Sequence, residues 1–344
     1  MKNKELLWQL PFLTFLIVGT IIIIRQQQDI PYQSNSGLIF GTAYNITYQS
    51  DTDLRSEIVA ELQKNVDQEF SMFNEQSTVS RINRGEDPTL SPAFVEVLKW
   101  AMQISRETDG AFDVTVAPLV NAWGFGFKNE QMPTQRQVDS LRHFIGFEKM
   151  TVLPNEDHPV RIQRADSRMM LDFSAIAKGY GSMVAARVLK SHGIKNYMVE
   201  IGGEIETSGV SPKRIPWKIG VTKPTEDSLS IGGEIQTILN VTDIAMATSG
   251  NYRNFYYKNG RRYAHTIDPK TGYPVQHNIL SATVLTKGCA IADAYATAFM
   301  VMGFERAKEV LNRHPELMAY FIYSDQNGNY AVWFSPSLRN KIEQ

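Results

Sequence analysis

Cysteine is nearly missing from this chain: Cys289 is the single one among 344 residues, which excludes an internal disulfide, a CxxC redox pair and a Cys-rich zinc site. Any chemistry must rest on oxygen and nitrogen groups. An excess of charge is missing too, since 35 Lys and Arg face 36 Asp and Glu for a formal net charge of -1. No global positive field exists to hold a nucleic acid by counterion release. Glycine (23) and proline (15) are too scarce for a collagenous or low-complexity chain, while 43% hydrophobic and 21% charged residues suit an ordinary globular core. The common nucleotide and hydrolase signatures are absent: no G-x-G-x-x-G follows a strand, and there is no G-x-x-x-x-G-K-[ST], G-x-S-x-G or H-E-x-x-H. IGGEI occurs twice, at 201–205 and 231–235, but its flanks do not match, so no repeat architecture follows.

What is present starts with an uncharged run of 19 residues, 6–24. At about 1.5 Å per residue it nearly spans a hydrocarbon core roughly 30 Å thick. Lys2 and Lys4 precede it with Glu5 partly offsetting them, and Arg25 follows, so the positive-inside rule favours a cytoplasmic start modestly. No A-x-A cleavage pattern follows and no cysteine is placed for lipidation. The expected organisation is a transmembrane anchor over 1–25, a tether over 26–37 and one catalytic domain over 38–344, held at the inner membrane on its periplasmic, extracytoplasmic side.

Within that domain, β-branched and aromatic content predicts a strand over 41–49, and Ile58, Leu62, Val66 and Phe70 at four-residue steps predict an amphipathic helix over 51–70. Ser91 and Pro92 form a cap and first-turn pair for a helix ending before Gly110, and 134–145 is a shorter helix. Residues 171–194 read as strand end, turn and helix, stopped by His192 and Gly193. Further strands are expected at 197–201, 217–221, 281–286 and 318–323, with a hairpin signal at Asn327-Gly328 and a helix over 290–302. Strands and helices interleave without strict alternation, which favours a mixed α+β (α/β) single domain over a doubly wound sheet.

Several segments could carry chemistry. Asp293 and Thr297 lie four apart and share one helix face, which suits a hard cation such as Mg²⁺, although an Asp favoured by the helix dipole and a back-bonding Thr would give the same spacing. DFSAIAKG (172–179) places Asp172, a bend and Lys178 at a helix start, where free N–H groups suit an anion such as phosphate; alone, it also fits a plain turn with a solvated lysine. ATSGNY (247–252) and HTIDPKTGYP (265–274) are turn-rich and flank a short strand pair, concentrating Thr248, Ser249, His265 and Asp268. His265 could be a general base or a turn histidine. In GAFDVTVAPLVNAWGFG (110–126) a β-like run with Asp113 precedes Trp123 and Phe125, which could stack on a flat ring or simply pack in the core. Taken singly, Phe40, Tyr44 and Phe73 read as core.

In order, GTAY, STVSRIN, GAFDVTVAPLVNAWGFG, LDFSAIAKGYG, VEIGGEI, ATSGNYRN, HTIDPKTGYPV and ADAYATA resemble the FAD:protein FMN transferase family, the ApbE-type flavin transferases formerly called thiamine biosynthesis lipoproteins. The match runs from about Phe40 to Gly303. The resemblance implies a single ApbE-like domain of T-fold-like sheet and helix layers. It further implies an enzyme that binds FAD as substrate, splits its pyrophosphate with Mg²⁺ and moves FMN to a Ser or Thr hydroxyl of a partner protein, releasing AMP. Carried over, the metal would be held by Asp293, Thr297 and the backbone at Ala175. Phe40, Phe73, Ala111, Phe112, Asp113, Asp172, Lys178 and Ile267 would contact FAD. His265 would be the base, with Asp268 beside it. The implied acceptor carries a D-x-[ST]-G-A-T-like site on a flavin subunit of a membrane electron-transfer complex. Four departures stand out. Phe40 and Phe73 replace the frequent Met and Trp, Glu204 replaces the usual aspartate after the double glycine, and Ala296 stands where some members have a second acidic ligand. They imply one magnesium held largely by FAD. Rival readings are an FAD pyrophosphatase giving FMN and AMP, a non-catalytic membrane-anchored flavin-binding protein, and a plain scaffold domain.

Overall fold

Eight strands that follow one another along the chain also follow one another across a single sheet. In this computed structural model, which describes residues 3–126, 132–153, 160–224, 234–251, 255–258, 261–327 and 329–343, they are β1 (Tyr32–Ile39), β2 (Thr42–Gln49), β3 (Tyr197–Ile201), β4 (Glu204–Ser208), β5 (Ala245–Gly250), β6 (Ile279–Thr286), β7 (Met318–Ser324) and β8 (Tyr330–Phe334). Side chains of 3–9, 26–29, 255–258 and 261–262 lie outside that description. Every neighbouring pair is antiparallel. The functional segments are therefore insertions into a meander. Residues 50–196 join β2 to β3 and carry most helices; 251–278 join β5 to β6 and carry the ribbon Phe255–Lys258 with Arg261–Ala264.

Side chains of successive strand residues alternate between two cores, as the period of two requires. Ala247, Ala282, Val284, Ala319 and Phe321 face the larger core beneath the helices. Met246, Leu285, Tyr320 and Ile322 face the smaller one, closed by the ribbon Trp217–Thr222 with Ile235–Val241 and by Leu338.

The main helices are α1 (Asn3–Asp29), α2 (Pro92–Glu107), α3 (Ser174–Ser191) and α4 (Cys289–Met302). Ser91 caps α2 by accepting from the Phe94 N–H at 3.1 Å, as its position before Pro92 predicts. Thr134 and Gln137 form a reciprocal capping box on the short helix Gln135–Arg142. Helices α3 and α4 touch at Gly179, where an added Cβ would lie 2.4 Å from the Cys289 carbonyl oxygen and 2.8 Å from Ala290 Cα. Glycine is needed there for the two backbones to meet.

Several expectations need correction. The helix over 51–70 begins at Arg55 and contains a π-helical turn at Gln63–Asp67. Steps of four advance about 40° per step around an α-helix, so the wide turn is what returns Val66 and Phe70 to the buried face of Ile58 and Leu62. The β-like run at 110–116 is loop, Leu171 precedes α3 without a strand, and Thr248 and Ser249 sit within β5. Residues 32–37, expected in the tether, pair with β2 as the edge strand. Among the described residues no helix is long and apolar enough to cross a membrane. Tyr252, Gly328 and the second IGGEI at 231–233 lie outside the described residues.

Candidate active site

The α3–α4 contact sets the floor of the site. Gly179 donates its N–H to Asp293 Oδ2 at 3.1 Å. In the helical register of α3 the same N–H also faces the Ala175 carbonyl. One residue before, Lys178 Nζ lies 2.7 Å from Glu204 Oε1 and 3.9 Å from Asp293 Oδ1. Glu204 opens β4 directly after Gly202 and Gly203, both at positive φ, and is 3% exposed. Its second oxygen, Oε2, is buried without a hydrogen-bond partner.

Two buried carboxylates thus share one partly exposed ammonium that lines the cavity. Burial pushes Glu204 up to about 7; Lys178 opposes the rise and Asp293 adds to it. Burial also raises Asp293, against the pull of Lys178 and the Gly179 N–H. Burial disfavours the Lys178 ammonium, but Asp293 and Glu204 more than reverse this and hold it well above the usual lysine value.

Above the floor, two loops form the walls. Asp113 accepts from Thr115 N–H (2.8 Å) and hydroxyl (2.7 Å) through Oδ1, and from Phe147 N–H (2.9 Å) through Oδ2. Its carboxylate fixes the 110–116 loop. Asp172 accepts from the Ser174 N–H at 2.8 Å and donates its own N–H to the Val114 carbonyl at 2.7 Å, tying that loop to the start of α3. Burial raises both carboxylic acids. Trp123 is not a stacking platform for a ligand. It is buried, donates Nε1–H to the Gly272 carbonyl at 2.8 Å and stacks on Tyr263, so it pins the 110–126 loop to the 265–274 loop. Phe125 meets the His265 ring edge-on, with centroids 6.4 Å apart.

These parts enclose a cavity of about 740 Å³. That lies within the roughly 300–1,000 Å³ of small-ligand and cofactor sites. Of the residues expected at a site, Phe73, Ala111, Phe112, Asp113, Asp172, Ala175, Lys178, His265, Ile267, Asp293 and Thr297 line it. Phe40 and Asp268 do not. Phe40 occupies the β1–β2 turn at φ 53° and approaches Gly181, while the Asp268 carboxylate accepts from the Lys270 N–H at 2.9 Å and closes its own turn. Phe73, 83% exposed, is the aromatic at the rim. Sequence reasoning missed Thr42 and Ala43 on β2, Gly220 to Thr222 on the ribbon that closes the smaller core, and Glu204 as a floor residue. For Glu204 a signal existed: an acid after a double glycine at a strand start.

Among the described residues, no group of three or more His, Cys, Asp or Glu side chains could hold a metal ion. A divalent cation here would have one carboxylate, Asp293, with the Thr297 hydroxyl and the Ala175 carbonyl, all from residues that line the cavity. That donor set fits magnesium, which usually takes one or two carboxylates and completes its shell from phosphate and water.

The model of the ApbE family matches residues 40–321. The chain belongs to the ApbE family. The FAD:protein FMN transferase of Vibrio cholerae serotype O1 is 39% identical over 295 residues, covering 82% of this chain and 86% of that protein. The enzyme of the same name from Escherichia coli K12 is 33% identical over 302 residues, covering 86% and 83%. The solved flavin transferase ApbE from Vibrio cholerae superposes with a TM-score of 0.80 at 36% identity, over 90% of this chain and 99% of that one. The mixed, single-domain architecture is thus that of an ApbE protein, and the cavity lies within the family-matched region.

Proposed function

We propose that this ApbE-family chain is an FAD:protein FMN transferase, which moves FMN from FAD to a Ser or Thr hydroxyl of an acceptor protein in a Mg²⁺-dependent reaction and releases AMP. The observation that carries the reading is the cavity itself, lined by the paired Lys178 and Asp293 and by Ala175 at the helix start together with His265 and Phe73. The names of the relatives support the same activity for them.

Phosphoryl transfer needs positioning and charge neutralisation more than covalent help. Lys178 supplies a fixed positive charge facing the pyrophosphate, and its pairing with Glu204 holds the ammonium in place. Magnesium, when bound through Asp293, Thr297 and the Ala175 carbonyl, would polarise the bridging phosphate oxygens and stabilise AMP as leaving group. His265 takes the acceptor hydroxyl proton as the oxygen attacks the FMN phosphorus, while Phe73 offers a face for the flavin ring. The acceptor belongs to the same reading: a segment like D-x-[ST]-G-A-T on a membrane electron-transfer complex. So does tethering on the extracytoplasmic side, for which the apolar run over 6–24 is the support.

The test is incubation with FAD, Mg²⁺ and a peptide carrying the acceptor motif, omitting the metal in a control. A fluorescent FMN-peptide that needs the metal is expected. Release of free FMN alone would make the chain a pyrophosphatase, and intact FAD would make it a binding protein.

A further inference from the structure

Edge strand β1 is eight residues long, YQSNSGLI, and contains no charge and no proline. Soluble proteins usually blunt such an edge with lysine, proline, a bulge or a cover. Among the described residues none is used, and the β1–β2 register runs without a bulge from Tyr32 to Ile39. The two-residue turn Phe40–Gly41, both at positive φ, closes the hairpin on Ile39 and Thr42. In that geometry Ile39, Gly37 and Asn35 spend their backbone groups on β2, while Leu38, Ser36 and Ser34 aim theirs away from the sheet. Those same three side chains are exposed, Leu38 at 85%. Among the described residues, no backbone group outside the sheet pairs with them. The described side chains of α1, residues 10–25, are nearly all solvent-facing.

The strand also runs up to the cavity. Leu38 pairs with Ala43 and Ile39 with Thr42, and both partners line the cavity with Phe73. The opposite edge, β8, is only five residues long and contributes nothing to the cavity wall.

We infer that β1 is the docking edge for the acceptor: an uncharged, extended acceptor segment adds as a ninth strand along Ser34, Ser36 and Leu38, next to the residue that receives the flavin. Main-chain pairing of this kind supplies affinity with little sequence demand, and the neighbouring site reads the hydroxyl-bearing residue. The reach is adequate. An added strand would lie about 4.8 Å from Leu38, itself about 4.5 Å from Ala43, so about three extended residues carry the chain to the cavity wall. The inference rests on the transferase reading and adds where the partner binds.

The experiment uses the full chain and a peptide of about fifteen residues with the acceptor motif at its centre and an uncharged flank. Ser36→Pro removes one outward N–H without touching the β2 ladder, and Leu38→Lys places a charge on the edge. For each, KM for the peptide is expected to rise about tenfold, with kcat at saturation and FAD affinity unchanged. Val332→Lys on β8 serves as the control and leaves KM unaltered. Slowed amide exchange at Ser34, Ser36 and Leu38 on adding peptide is the second readout. Unchanged KM in both β1 variants with unprotected amides would overturn the docking edge while leaving the transferase reading intact. Protection that instead follows protein concentration without peptide would assign the edge to a second copy of this chain and also overturn it. A wild-type chain that never labels the peptide would sink the transferase reading, and this inference with it.

Discussion

Replacing Gly179 by alanine tests whether the close meeting of two helices builds the site. The new Cβ would sit 2.4 Å from the Cys289 carbonyl oxygen, 2.7 Å from its carbon and 2.8 Å from Ala290 Cα, all backbone atoms of α4. Relief requires the helices to part by several tenths of an ångström, since no flexible side chain can swing aside. Overpacking of this kind costs about 3 kcal/mol at the upper end of its usual range. Alanine returns about 1 kcal/mol as the better helix former. The steric effect wins, leaving a net loss of about 2 kcal/mol, or about 3 °C in melting temperature for a chain of this size. The same displacement lengthens the 3.1 Å bond from Gly179 N–H to Asp293 and the 3.9 Å approach of Lys178 to Asp293, so transfer activity should fall more than stability does. Urea titration and the peptide-labelling rate measure the two effects. A variant as stable and as active as wild type would refute the reasoning, because the helices could then part without disturbing the floor.

The remaining expectations are brief. Asp293→Ala should lower flavin transfer at least 100-fold, about 3 kcal/mol of transition-state stabilisation, with the circular dichroism spectrum unchanged because Lys178 keeps Glu204; retained transfer would remove the metal assignment. His265→Ala should bind FAD normally in a fluorescence titration yet transfer slowly, and an unchanged turnover rate would place the base elsewhere. His277 is pushed below the usual 6.5 by burial, the Met300 carbonyl opposing this; its Nδ1 accepts from the Ile279 N–H at 3.2 Å, so the folded ring is held neutral. The unfolded chain then binds the extra proton first, so His277 lowers stability as pH drops below 6.5, by at most about 1.4 kcal/mol per unit, against the opposite contribution of Glu204, and the His277 share is the difference between wild type and variant. His277→Gln should therefore lose less stability than wild type on going from pH 7.5 to 5 in urea midpoints.

What could be read from the sequence was what short-range chemistry decides. Ser91 before Pro92 and Thr134 before Gln137 satisfy N–H groups three residues away, so the helix starts were visible. The run at 110–116 was misread for the opposite reason. Val114, Thr115 and Val116 have strand-like side chains, but the Asp113 carboxylate takes the Thr115 N–H and, 34 residues along the chain, the Phe147 N–H, which makes a loop of them. Trp123 likewise found its partners near Gly272, 149 residues away. Asp268 followed His265 closely enough to suggest a catalytic pair, yet its carboxylate was spent on its own turn. The family motifs marked most of the cavity lining before the structure did, because they record those distant meetings. Composition and periodicity could not.

The substitution of Glu for Asp at position 204 becomes intelligible on the same grounds. The longer side chain brings Oε1 to 2.7 Å from Lys178 and leaves Asp293 at 3.9 Å, so the ammonium is held mainly by Glu204. Two buried carboxylates against one ammonium leave an excess negative charge, costly in a medium that solvates it poorly. Glu204 shows the strain through its raised pKa and its unpartnered Oε2, while Asp293 faces the cavity with one oxygen on Gly179. A cation entering from the cavity would relieve the excess at Asp293 without competing for Lys178. Glu204 thus keeps the lysine in place, and under the proposed function Asp293 would be the carboxylate that meets a metal.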